Sequence, residues 1–194
     1  MKKEVALTLL LCVAWILTAS SQNSIESIRK EYQSVHEWIA RMTPNEEGMS
    51  AWPPEYFDLH VVQNLPATGP HHENIRMFYG ELEPEEEGDP YPPHYLRFVT
   101  AKYNFAAREF YEEYLYDNKG QVMFIFCKTP EINDDMSSCE LRMWFDGKKL
   151  LRFKADTYTG ITIPEKYHEE TDRCKQRAKR FLEMFKGIDD NTYL

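Results

Sequence analysis

Residues 111–127 read YEEYLYDNKGQVMFIFC, and this stretch decides the class of fold. Glu109 to Tyr116 and Gln121 to Cys127 are aromatic and β-branched runs of strand composition. Between them Asp117-Asn118-Lys119-Gly120 supplies the residues that tolerate the positive φ of a tight hairpin. A second hairpin of the same texture follows in Met143-Trp144-Phe145-Asp146 and Gly147. Any two hairpins with aromatic flanks look alike, so they are read as neighbours in a meander rather than as units of a repeat.

Outward from this centre, Gly, Pro, Asn and Asp clusters separate further short runs. Strands are expected near Phe57 to Val62, Asn74 to Leu82, Tyr95 to Tyr103, Cys139 to Phe145 and Lys149 to Lys154. Before them, Ile25, Ile28, Tyr32, Val35, Ile39 and Met42 recur at threes and fours behind the capping pair Asn23 and Glu26. This predicts an amphipathic helix that ends before Pro44. At the other end a helix opens at Pro164 and runs towards Gly187, with Tyr167, Thr171, Cys174, Ala178, Phe181, Leu182 and Phe185 as its inward stripe. The reading is an α+β fold: an N-terminal helix, an antiparallel meander of about six or seven strands in a curved sheet, and a C-terminal helix. Pro44 to Pro54 and Glu83 to Pro93, the latter with Glu85-Glu86-Glu87, read as loops.

The first 21 residues carry a different message. Met1-Lys2-Lys3, the apolar run Val5 to Ala19 and the small residues Ser20 and Ser21 form the three-part pattern of a cleavable secretory leader. The run is shorter than the about 20 apolar residues a permanent span needs. A periplasmic or secreted protein is expected, with residues 22–194 as one domain and no permanent membrane span. Cys12 does not read as a lipid anchor, because Leu11 precedes it and the apolar run continues past it. A net charge of −9, one unit more acidic once the leader is removed, repels phosphate backbones and argues against nucleic acid as a partner.

Cys127, Cys139 and Cys174 remain in the mature chain. Cys127 and Cys139 end one strand and begin the next, so in an oxidising compartment they form a possible disulfide; buried free thiols are the equal alternative. His71-His72-Glu73 offers metal-ligating types, but adjacent residues on a strand point to opposite faces, and a solvent-facing hairpin tip is the better reading. No metal and no cofactor is expected. His36, His60, His94 and His168 show no ligand spacing. A G-x-S-x-G elbow, an H-E-x-x-H helix and a glycine-rich phosphate loop are all lacking, which lowers the expectation of an enzyme without removing it. Glu112 and Glu113 could place a carboxylate in a cavity, where burial would raise its pKa towards that of a general acid.

Phe110-Tyr111 and Trp144-Phe145 put aromatic rings on both faces of a sheet, so either helices cover the second face or part of it binds a partner. Tyr111, Tyr114, Tyr116 and Trp144 are the candidate binding residues, combining contact area with a polar handle. The order of elements resembles the cystatin-like and nuclear-transport-factor-like arrangements, in which a curved sheet wraps a helix, although the cystatin glycine and Q-x-V-x-G loop are absent. The texture Tyr-Leu-Tyr-Asp-Asn-Lys-Gly-Gln-Val is also similar to that of uncharacterised exported proteins of Gram-negative bacteria, which implies a compartment and no activity. Three readings of function follow. The first is a non-enzymatic module that binds a protein or envelope component through its sheet. The others are a carrier that holds an apolar ligand in a cavity between sheet and helices, and an unrecognised hydrolase.

Overall fold

The computed structural model describes residues 24–45, 48–52, 55–84, 92–130 and 138–190. Eight antiparallel strands form one curved sheet in sequential order: β1 (Tyr56–Leu65), β2 (Gly69–Glu81), β3 (His94–Phe105), β4 (Arg108–Tyr116), β5 (Val122–Thr129), β6 (Cys139–Asp146), β7 (Lys149–Ala155) and β8 (Tyr158–Gly160). Helix α1 covers residues 24–42. A single 3₁₀ turn, Glu165–Tyr167, leads into α2 (His168–Asp189). Bulges at Phe78/Tyr79, Leu115/Tyr116 and Trp144/Phe145 bend the strands.

Strict alternation along the central strands loads both faces of the sheet with apolar side chains, and each face is closed by one helix. Ile25, Ile28, Val35 and Met42 of α1 pack on Phe78, Phe98, Leu115, Phe124 and Trp144. On the opposite face Cys174, Ala178, Phe181 and Phe185 of α2 pack on a larger core that includes Ile75, Met77, Tyr114, Ile125 and Phe153. Of the two arrangements that aromatic rings on both faces allowed, helices cover the second face. Among the described residues no helix is long and apolar enough to cross a membrane.

The structure has eight strands where the sequence suggested six or seven. The additional one, β8, follows a turn in which Asp156 adopts φ 47°. Ala67 at φ 63° and Ala106 at φ 54° make the turns that extend β1, β2, β3 and β4 beyond their expected ends. The left-handed region costs an L-residue roughly 1–2 kcal/mol; the turns at Ala106 and Asp156 adopt it with no glycine to read, whereas the Ala67 turn closes on Gly69 at φ 84°. The hairpin at residues 117–120 does leave one: Gly120 takes φ +77°, and Asp117 Oδ1 accepts the backbone N–H groups of Lys119 at 2.9 Å and Gln121 at 2.7 Å. His71 and His72 lie within β2, opposite Gln63 and Val62, instead of at a hairpin tip. Helix α2 also continues past Gly187 to Asp189. The leader, the Asn23 cap and the Glu85-Glu86-Glu87 run lie outside the described residues.

Candidate functional site

The two adjacent carboxylates of β4 point in opposite directions, and each reaches the helix on its own side. Glu112 is fully buried beneath α2. It accepts hydrogen bonds from the hydroxyls of Tyr103 at 2.8 Å and Tyr114 at 2.6 Å, and pairs with Arg177 Nε at 2.6 Å and Arg173 Nη1 at 2.7 Å. Arg177 also binds Glu73 through Nη2, and Arg173 binds Glu170. Tyr103 stacks on Phe110 with centroids 4.8 Å apart, and Arg177 lies 4.4 Å over the Tyr103 ring. Burial pushes the Glu112 carboxyl upward, but Arg177, Arg173 and the Tyr114 hydroxyl outweigh it and hold the group below the usual carboxylate range.

Glu113 does the same on the other face. Its carboxylate accepts from the hydroxyls of Tyr32 on α1 and Tyr111 on its own strand, the latter at 2.7 Å, and His36 Nε2 lies 3.7 Å away. Burial again pushes the carboxyl up, and His36, Tyr32 and Tyr111 together hold it low. A general acid needs the opposite shift, so the carboxylic-acid role considered for Glu112 and Glu113 is replaced by a structural one. Both stay ionised and clasp the two helices to the sheet.

Cys127, Cys139 and Cys174 are buried free thiols. In the β5–β6 ladder Cys139 lies opposite Thr129, and Cys127 lies opposite Leu141, so the two are offset by two residues and the Cys127–Cys139 bond considered from sequence gives way to the free-thiol alternative. Cys127 instead adjoins Cys174 of α2, with Glu112 completing a triad whose ligand atoms lie within 4.8 Å of one another. This donor set suits a metal poorly. The hydrogen bond with Cys174, with burial, pushes the Cys127 thiol well up, Glu112 is fully engaged, and Arg173 Nη2 lies 3.6 Å from Cys127 Sγ. Burial also pushes Cys139 up to about 12. Iodoacetamide at neutral pH is therefore expected to leave Cys127, Cys139 and Cys174 unlabelled in the native protein and to label them after unfolding; rapid native labelling at these positions would contradict the burial.

Of the four candidate binding residues, Tyr114 and Tyr116 lie under α2 and Trp144 under α1, each no more than 5% exposed, while Tyr111 is half-buried with its hydroxyl on Glu113. The Trp144 ring and Phe124 floor a shallow cleft of about 280 Å³ edged by Arg29 and Arg142. Tyr116 has a second environment. Its hydroxyl donates to the Ala178 carbonyl at 2.7 Å, and both residues line a groove of about 650 Å³ between α2 and the β5–β7 end of the sheet. Val122, Ile125, Phe145, Leu150 and Leu182 supply apolar walls.

The chain matches no family model, no curated protein and no solved structure. Its chemistry must be read from the residues themselves. The sequence had marked Tyr116 but not the groove, because α2 and β5–β7 meet only in the fold. Arg173 and Arg177, four apart beside the inward Cys174, carry a signal that the sequence does offer, since two cations next to an apolar stripe can be matched to a buried acid.

Proposed function

We propose that the protein is an exported, non-enzymatic carrier that holds an apolar ligand in the groove between α2 and the sheet. The observation that carries this is the groove itself. Its volume of about 650 Å³ falls within the roughly 300–1,000 Å³ of small-molecule sites, and its apolar walls with few polar groups are those such sites use. The buried carboxylates, which a hydrolase would recruit, are committed to arginine and tyrosine partners. Export rests on the leader pattern of residues 1–21. The alternative, a module that binds through its aromatic sheet, finds three of its four candidate side chains under the helices.

Titration with N-phenyl-1-naphthylamine, an apolar fluorophore, tests the proposal. Saturable enhancement is expected. Leu150→Gln should weaken it about tenfold, since an unpaired amide in an apolar wall costs roughly 1–3 kcal/mol. Val62→Gln, at a position 72% exposed on β1, should leave it unchanged. Equal binding by folded Leu150→Gln would overturn the carrier.

A further inference from the structure

We infer that the groove's occupant is a single-chain amphipathic anion: an apolar chain lying along the walls and one negatively charged head held at the rim by Lys148, Lys175 and Lys179. The inference rests on the carrier reading and names the ligand class for the same groove.

Charge sets this rim apart from the rest of the molecule. The chain carries 32 acidic and 23 basic residues, yet the groove is lined by three lysines and no aspartate or glutamate. The lysines come from two sides. Lys148 belongs to the β6–β7 turn, whereas Lys175 and Lys179 are four apart on α2 and share one helical face. A head placed between the turn and the helix would meet cations from both.

The lysines are available for that role. Lys175 pairs with Asp172 at 3.0 Å and Lys179 with Glu183 at 3.7 Å, but both carboxylates are nearly two-thirds exposed and both pairs lie within one helix. Exposed pairs of this kind contribute little and exchange readily for another anion. The walls below carry no charge, so a cationic or doubly charged ligand would have to bury charge unpaired. Size limits the tail. The groove's volume of about 650 Å³ is that of a site for one small molecule, with room for one medium chain and its head. The net charge of −9 repels an anionic bilayer surface, which favours a free anion over a membrane headgroup.

The experiment is displacement of bound N-phenyl-1-naphthylamine by tetradecanoate, tetradecan-1-ol and tetradecyltrimethylammonium at neutral pH and low ionic strength. The carboxylate should displace the probe at about tenfold lower concentration than the alcohol, and the ammonium should be weakest. Added salt should shrink that advantage. The triple variant Lys148→Gln/Lys175→Gln/Lys179→Gln changes only exposed side chains; it should lose the preference while binding the alcohol unchanged. Equal displacement by carboxylate and alcohol would overturn the anion and leave the carrier standing. No displacement by any of the three, with no probe bound, would overturn both. Tight binding to phosphatidylglycerol vesicles without displacement by free tetradecanoate would overturn the free-anion assignment in favour of a membrane surface.

Discussion

Glu112→Ala is expected to destabilise the fold by about 3 kcal/mol, near the lower end of what removing one partner from a buried ion pair costs. The substitution deletes the acceptor of four donors at once and leaves the hydroxyls of Tyr103 and Tyr114 without their shared partner. The loss stays at the lower end because Arg177 keeps Glu73 and Arg173 keeps Glu170, and because Arg173 is 31% exposed and can turn to water. Denaturant unfolding of the variant and wild type measures it. A loss below about 1 kcal/mol, the scale of a surface pair, would show that the network is not what holds α2.

Acid should produce the second large effect. The folded Glu112 and Glu113 carboxyls are held below their usual range, whereas an unfolded glutamate titrates near about 4.3. Each therefore contributes stability that is fully present above that value and is lost as pH falls through the lower folded one. Stability is expected to be insensitive to these two groups around neutrality and to drop steeply below about pH 4. Tryptophan fluorescence reports it, since Trp38 and Trp144 pack in the α1 interface. Glu113→Gln should flatten the acid slope, because its side chain no longer gains a proton on unfolding. An unchanged slope in that variant would remove Glu113 from the acid response.

Much of the layer structure was readable because it follows from periodicity. The threes and fours of Ile25, Ile28, Val35 and Met42 and the alternation around Tyr114 describe surfaces that must be covered whatever covers them. Turns were readable where Gly120 and Gly147 take positive φ and hidden where Ala106 and Asp156 do the same with no glycine beside them. The clasp was half visible. Adjacent glutamates in an aromatic strand stood out, but their partners are separated from them by 65 residues for Arg177 and 81 for Tyr32, so only the fold shows that the carboxylates are paired. The groove was invisible for the same reason: its walls come from elements that the sequence keeps apart.

The sequential order of the eight strands has a consequence for assembly. Every ladder joins strands that follow one another in the chain, so the sheet can grow hairpin by hairpin as the chain becomes available from its N-terminal side, with short loop closures throughout. Glu112, however, receives its counter-charges from α2, the last described element. Until that helix arrives, the centre of the half-built sheet presents an anion with no cation beside it. Docking of α2 is thus the step that makes the sheet's own interior electrically complete, and this helix acts as the keystone of the strands that precede it.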